Sequence, residues 1–160
     1  MLVDDNKQKA ILTVGCSGSG KSTWAAEYVL ANPNTVEINR DSIRHIVFAR
    51  LRPDESFSWK KWSFTNENEV NEVQHKLIEQ AKNKGFSIVI SDTNIDQPYN
   101  RKIEKYLIGL GFDVSYMLID VPLETCLERD AQRSDPVGEE VIRIQFKKYE
   151  LLKALVRNQS

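Results

Sequence analysis

The residues that point most clearly to chemistry form a glycine-rich stretch, GCSGSGKST, at positions 15–23. Gly15, Gly20, Lys21 and Ser22 satisfy the pattern G-x-x-x-x-G-K-S/T of a phosphate-binding loop, in which glycines let backbone N–H groups surround phosphate oxygens. In such a loop the lysine contacts the β and γ phosphates and the serine ligates Mg²⁺. The stretch therefore predicts a nucleoside triphosphate site. Its predicted nucleotide-binding residues are Gly15, Ser17, Gly18, Ser19, Gly20, Lys21, Ser22 and Thr23.

A second pair of candidates, Asp41 and Arg44, lies in the segment NRDSIR. On a helix their spacing places both side chains on one face, one turn apart. A carboxylate there can accept the proton of an acceptor hydroxyl, and a guanidinium beside it can bind an anionic group of the same acceptor. The alternatives are that Asp41 caps the helix, or that the two residues form only a surface ion pair.

Asp92 ends a strongly apolar run in the segment VISDTN. At the carboxyl end of a parallel strand it would face the crevice in which open α/β sheets bind ligands. There it would hold Mg²⁺ through water or orient an arginine. The alternative is a capping role in the loop or in the next helix.

Two arginines, Arg129 and Arg133, precede a segment that contains Pro136 and Gly138. Their spacing predicts that they share one helix face next to a segment able to close over a ligand. An arginine at such a place can stabilise the charge that develops during phosphoryl transfer. Solvated helix arginines are the alternative.

The elements that must position these residues alternate along the chain. Short apolar runs predict strands at 9–15, 35–39, 86–92 and 112–120. Helical spacing predicts helices at 21–31, from 41, at 65–84, from 98 to about 109, at 122–133 and at 137–156. This alternation indicates an α/β fold with a mainly parallel sheet of about four strands, covered by helices on both faces. The segment from 50 to 64 shows no clear pattern.

Length and composition limit the classes of protein that fit. The chain of 160 residues, 41% of them apolar, suits one domain, and its net charge of -1 gives no global attraction to nucleic acid or membrane. Two cysteines, Cys16 and Cys126, and the lack of a leader-like start predict reduced thiols in a cytoplasmic protein. No apolar run reaches the ~20 residues of a membrane span. The sequence has no D-x-x-G motif after a strand and no N-K-x-D motif for guanine recognition, which argues against a GTPase. It therefore favours a small kinase.

Taken together, four segments resemble the kinase domain of phage-type polynucleotide 5′-hydroxyl kinases in order and spacing. They are ILTVGCSGSGKSTWA, INRDSIR, VISDTN and LERDAQRSDPVGEEVIRIQFKKYE, and the similarity runs from about residue 9 to residue 155. The resemblance implies an adenylate-kinase-like P-loop kinase with a C-terminal lid region. It also implies transfer of the γ-phosphate of ATP, with Mg²⁺, to a 5′-hydroxyl of DNA or RNA.

The resemblance also implies roles on the donor side of the reaction. Lys21 and Ser22 would bind the donor phosphates and Mg²⁺. Arg133 matches the lid arginine that contacts the donor phosphates, with Arg129 as a second nucleotide contact.

On the acceptor side, the resemblance makes Asp41 the general base on the 5′-hydroxyl and Arg44 the contact to the neighbouring phosphate. Asp92 matches an active-site carboxylate of the family. Family members of the bifunctional kind continue into a phosphatase domain with a D-x-D-G-T signature, which this sequence does not contain, so we expect no processing of 3′ phosphates. The family is often oligomeric, which makes a homo-oligomer a further expectation. Residues 50–84 resemble the family poorly, so DNA or RNA preference stays open.

The segment SFSWKKWSF, residues 56–64, interleaves aromatic and basic side chains. Such a composition can stack on bases and meet phosphates along a single strand. Equally, its tryptophans and phenylalanines can anchor a loop on the core, and this structural interpretation is the one we favour from the sequence.

Three functions therefore compete. The first is a polynucleotide 5′ kinase, and the second is a kinase of a nucleoside, sugar or other metabolite. The third is a switch in which ATP changes the affinity for a partner without phosphate transfer; it would not require a base or a lid arginine.

Overall fold

The computed structural model describes residues 6–158, with the side chains of all of these except 64, 97–99, 157 and 158. Four strands and six α-helices alternate along this part of the chain. The strands are β1 (Lys9–Val14), β2 (Thr35–Ile38), β3 (Ser87–Ile90) and β4 (Asp113–Leu118). The helices are α1 (Lys21–Ala31), α2 (Arg40–Leu51), α3 (Phe64–Lys84), α4 (Gln97–Gly109), α5 (Leu123–Ala131) and α6 (Glu139–Asn158), with a short 3₁₀ helix at Trp59–Lys61.

The strands form one parallel sheet in the order β2-β3-β1-β4. The two inner strands are paired in register, with Ile11 opposite Val89 and Leu12 opposite Ile90. Their continuous apolar runs follow from this position, because a central parallel strand is covered on both faces. The α/β fold with four parallel strands, predicted from the alternation of elements, is confirmed.

Side chains from alternate positions of β1 and β3 pack under different helices. On one face, Leu12 and Ile88 share a cluster with Ile78 of α3 and Leu107 of α4. Ile11 of β1 and Val89 of β3 point to the other face of the sheet, where they form a separate cluster with Ala25 of α1. A third cluster joins α5 and α6 to the glycine-rich loop and contains Cys16, Cys126, Ile142 and Tyr149 among its buried members.

The carboxyl ends of the parallel strands lie along one edge of the sheet, and the loops that follow them converge there. The backbone N–H of Gly15, after β1, donates to the carbonyl of Thr93, after β3, at 3.1 Å. Asn39 follows β2 and donates from its side chain to the Ser91 carbonyl at 3.2 Å. These links bring the predicted donor loop and the predicted acceptor residues to the same edge, which is where such folds bind ligands.

Within residues 6–158, no helix combines the length and the apolar character that a membrane crossing requires.

Candidate active site

Glycines in the loop between β1 and α1 leave room for neighbouring atoms that approach closely. A Cβ on Gly15 would lie 2.7 Å from the Ser19 hydroxyl, and a Cβ on Gly18, whose φ is 81°, would lie 2.9 Å from the Cys126 carbonyl. Helix α1 begins directly after the loop with no side-chain cap and no acidic residue in its first turn. Its N-terminal N–H groups and positive dipole end are therefore available to an anion.

Lys21, the first residue of α1, is held inside the loop. Its Nζ donates to the Cys16 carbonyl at 2.6 Å, and the residue is 9% exposed. Burial, together with the nearby charge of Arg133, lowers the pKa of Lys21 to about 8. At neutral pH the lysine is still mostly protonated, so it brings a positive charge to a site with little solvent. The buried Ser19 hydroxyl has no hydrogen-bond partner among residues 6–158, which again fits a loop shaped for phosphate oxygens.

On the predicted acceptor side, helix α2 is capped by Asn39 and not by Asp41. The Asn39 side chain accepts the Ser42 backbone N–H at 2.9 Å, and the helix begins at Arg40, so Asp41 lies inside its first turn. The predicted pairing with Arg44 is present, because the Asp41 Oδ1 atom lies 3.2 Å from Arg44 Nη1. The Asp41 side chain remains 54% exposed on a cavity wall, which leaves its carboxylate accessible to a ligand.

Arg44 is fixed by a carboxylate that the sequence interpretation did not identify. Glu67 of α3 accepts from Arg44 Nε at 3.0 Å and from Arg44 Nη2 at 2.6 Å, and it also accepts from Arg40 Nη2 at 2.8 Å. Burial by itself would raise the pKa of Glu67, but the hydrogen bonds from the two arginines outweigh it and lower the pKa to about 2. The carboxylate is therefore ionised at all physiological pH values and orients both guanidinium groups.

The signal that could have revealed Glu67 is a polar stripe on α3. Glu67, Asn71 and Gln74 follow one another at i, i+4 and i+7, which places them on one face of the helix. Gln74 is only 1% exposed, although a long helix ordinarily turns its polar residues to solvent. Polar residues on an inward face of this kind indicate contact with a polar site, and Glu67 and Asn71 do line the cavity.

Asp92 lies two residues after the end of β3 and binds the first turn of α2. Its Oδ1 accepts the backbone N–H of Arg40 at 2.8 Å, and its Oδ2 accepts from Gln74 at 3.5 Å. Asp92 thus binds the N-terminus of α2, whereas the capping alternative had placed it on its own loop or the next helix. Burial raises the pKa of Asp92 to about 6, although the Arg40 hydrogen bond and charge oppose this. A desolvated carboxylate with incomplete compensation is a suitable partner for a cation.

Arg129 and Arg133 do not share a helix face. Helix α5 ends at Ala131, and the backbone N–H of Arg133 donates to the Asp130 carbonyl at 3.1 Å in the turn that follows. The helical period had suggested a longer helix, but the buried Asp130 side chain accepts the N–H groups of Val137 and Gly138 at 3.0 Å each and so closes the turn.

Both arginines nevertheless lie near the glycine-rich loop. Arg129 Nη1 donates to the Gly18 carbonyl at 3.2 Å, and Arg129 and Arg133 line the same cavity as the loop. From α6, the Gln145 side chain accepts the Ser17 backbone N–H at 2.9 Å. The α5–α6 region is thereby attached to the loop at two points.

Most of these groups line one cavity of about 1130 Å³, a volume slightly above the usual range for small-molecule sites. Gly15 belongs to the loop backbone but does not line the cavity. The other predicted site residues do line it: Ser17, Gly18, Ser19, Gly20, Lys21, Ser22, Thr23, Asp41, Arg44, Asp92, Arg129 and Arg133. The structure thus brings the predicted donor and acceptor residues together in one space.

A parallel sheet with a phosphate-binding loop at its carboxyl edge, facing a carboxylate and an arginine across one cavity, defines the class of P-loop kinases. Residues 11–152 match the model of a family described as an AAA domain, so the chain belongs to that family. The bifunctional polynucleotide kinase/RNA ligase of Autographa californica nuclear polyhedrosis virus is 31% identical over an alignment of 151 residues that covers 90% of this chain and 21% of that protein.

Two further similarities agree with this class. The L-seryl-tRNA(Sec) kinase of Methanococcus maripaludis is 26% identical over an alignment of 143 residues that covers 88% of this chain and 52% of that protein. A chain in the solved structure of the Pnkp1/Rnl/Hen1 RNA repair complex superposes with a TM-score of 0.72 at 21% identity, covering 96% of this chain and 48% of that one. This chain therefore spans only part of the length of these proteins. The resemblance to the kinase domain of polynucleotide kinases, predicted from the sequence, is confirmed.

Proposed function

We propose that this P-loop kinase transfers the γ-phosphate of ATP to the 5′-hydroxyl end of a polynucleotide, DNA or RNA. The observation that carries the proposal is the placement of Asp41 and Arg44 on the wall of the cavity that the phosphate-binding loop also lines. Arg44 has five N–H groups, and within the described part of the chain it uses three of them on Glu67 and Asp41. The other two are not used on the described residues, and Arg44 lines the cavity, so we expect them to bind an anionic group of the acceptor, such as the phosphate that follows a 5′-terminal nucleoside.

This geometry supports a role for each of the residues. Asp41, exposed to the cavity and oriented by Arg44, takes the proton of the acceptor hydroxyl as the attack proceeds. Lys21 and the uncapped N-terminus of α1 bind the donor phosphates, and Arg133 adds positive charge from the turn after α5. Ser22 and the desolvated Asp92 are the residues that would hold Mg²⁺. When bound, the ion neutralises part of the phosphate charge.

Similarity to the viral polynucleotide kinase/RNA ligase supports a polynucleotide acceptor. Similarity to the L-seryl-tRNA(Sec) kinase supports a second candidate, in which the acceptor hydroxyl belongs to a different molecule. Asp41 and Arg44 could serve such an acceptor equally well. A switch without phosphate transfer is the third candidate, but it gives no reason for an accessible carboxylate beside an oriented arginine.

Transfer of label from γ-labelled ATP to a panel of acceptors separates these candidates. The panel contains a 5′-hydroxyl oligonucleotide, the same oligonucleotide with a 5′-phosphate, nucleoside 3′-phosphates and small sugars. We expect label on the 5′-hydroxyl oligonucleotide and none on its 5′-phosphorylated control. Label on a small acceptor alone would favour a metabolite kinase, and tight ATP binding with no labelled acceptor would favour the switch.

A further inference from the structure

Trp59 occupies a position in the cavity that the roles above leave unexplained. It is the first residue of the 3₁₀ helix, and it lines the cavity together with Asp41 and Arg44. The Arg44 guanidinium carbon lies 4.9 Å from the centroid of the Trp59 ring. The indole is therefore next to the arginine that we expect to bind the acceptor phosphate.

The Trp59 ring is held in place by neighbouring residues. Phe57 packs edge-on against it, with the ring centroids 5.6 Å apart, and the Trp59 backbone N–H donates to Asp135 at 3.1 Å. Asp135 lies in the turn that carries Arg133, so Trp59 links the predicted acceptor side to the predicted lid. A ring with these contacts loses little further freedom when a ligand stacks on it.

Phe57, and not Trp59, is the residue that anchors the segment 56–64 on the core. Phe57 is 8% exposed and packs edge-on against Phe48 at 5.6 Å and against His45 at 5.2 Å. Trp59, by contrast, keeps 37% of its surface exposed, on the cavity wall. An immobilised indole beside a phosphate-binding arginine is the arrangement that recognises a base and the phosphate attached to it.

We propose that Trp59 is a specificity-determining residue that stacks on the nucleobase of the acceptor's terminal nucleotide while Arg44 binds the phosphate on its 3′ side. This inference rests on the proposed function and names the part of the acceptor that selects it. In a nucleotide the sugar ring joins the base, the 3′ phosphate and the carbon that carries the 5′-hydroxyl. Fixing the base and the phosphate therefore fixes the direction in which the 5′-hydroxyl projects, and Asp41 lies on the same cavity wall to receive its proton. Every nucleobase has a π-face on which an indole can stack, so Trp59 would accept any base. The acceptor class is therefore a polynucleotide whose 5′-terminal nucleotide carries a base.

The test compares two 5′-hydroxyl oligonucleotides that differ only in whether their terminal nucleotide carries a base or is abasic. The readout is the ratio of kcat/KM for the two acceptors, which cancels changes in folding or ATP binding. We expect the wild-type protein to prefer the base-bearing acceptor by about 5- to 150-fold, the affinity ratio that corresponds to stacking of one base. Trp59→Leu should reduce this ratio to about 1, and Trp59→Phe, which keeps a smaller ring, should give an intermediate ratio.

Trp62 provides a matched control, since it is a tryptophan of the same segment with 38% exposure that is not among the cavity-lining residues of the described chain. Trp62→Leu should keep the wild-type ratio. A ratio that Trp59→Leu and Trp59→Phe leave unchanged, or that Trp62→Leu lowers equally, overturns the inference alone. If the wild-type protein labels neither oligonucleotide although it binds ATP, the proposed function fails and the inference falls with it.

Discussion

Replacing Glu67 by glutamine tests whether one carboxylate holds the acceptor wall of the cavity together. The Glu67 side chain is 19% exposed and binds both Arg40 and Arg44. Burial opposes its ionisation, yet the two arginines lower its pKa from an ordinary 4.5 to about 2. At about 1.36 kcal/mol per pH unit this difference corresponds to roughly 3 kcal/mol. Partial solvent access reduces the figure, so we expect Glu67→Gln to lower the free energy of unfolding at pH 7 by about 2 kcal/mol.

The pH dependence of this effect has a definite sign. Because the pKa of Glu67 is lower in the folded protein than in the unfolded chain, its stabilisation is present above 4.5 and is lost as the pH falls toward 2. The difference in stability between wild type and Glu67→Gln should therefore be largest at neutral pH. At about pH 3 it should fall to less than half of its neutral value.

Urea denaturation followed by tryptophan fluorescence at neutral and acidic pH measures this difference. Glu69→Gln is the matched control, because Glu69 lies on the same helix and is exposed. It should change stability by no more than about 0.5 kcal/mol. The same substitution at Glu67 should also raise KM for the acceptor more than KM for ATP, since it releases Arg44. Equal denaturation midpoints for Glu67→Gln and Glu69→Gln at neutral pH would refute the reasoning.

Three further predictions concern residues around the same cavity. Arg44→Ala should raise KM chiefly for acceptors with a phosphate on the 3′ side of the terminal nucleoside, and an equal loss with and without that phosphate would contradict its role. Arg133→Ala should lower turnover by about 10³ without unfolding the protein, and a loss below about tenfold in steady-state assays would exclude it from charge stabilisation. Burial raises the pKa of Asp92 to about 6, so the protonated side chain stabilises the fold and this contribution is lost as the pH rises through that value. The free energy of unfolding measured in urea should therefore fall between about pH 4 and pH 7. Asp92→Asn should remove this fall, and an unchanged dependence of the free energy on pH would contradict the pKa shift.

The part of the site that sequence reasoning predicted is the part in which neighbours in sequence are neighbours in space. The glycine-rich loop lies within nine consecutive residues, and the Asp41 and Arg44 pair depends only on one helical turn. Strand and helix periodicity also located the elements, because burial on both faces of a parallel sheet imposes long apolar runs. The carboxyl-edge rule then predicted that these residues would meet.

What could not be predicted depends on contacts between distant parts of the chain. Glu67 meets Arg44 across 23 residues, and Asp135 meets Trp59 across 76. The polar stripe on α3 indicates that Glu67 faces a polar site, but it does not indicate which residues Glu67 meets there, because an acidic residue in the first turn of a helix is ordinary in itself. Likewise the aromatic segment at 56–64 fitted both a loop anchor and a stacking surface. In the structure Phe57 is buried, whereas Trp59 is partly exposed and lines the cavity.

The most direct test of the proposed mechanism is Asp41→Asn, which keeps the size of the side chain but removes its ability to take a proton. Asp41 contacts Arg44 and lies outside the glycine-rich loop, so ATP affinity measured by titration calorimetry should stay nearly unchanged. Turnover on a 5′-hydroxyl oligonucleotide should fall by about 10² or more, the usual size of a general-base effect. Turnover within a few-fold of wild type at unchanged ATP affinity would contradict the assignment of Asp41 as the base.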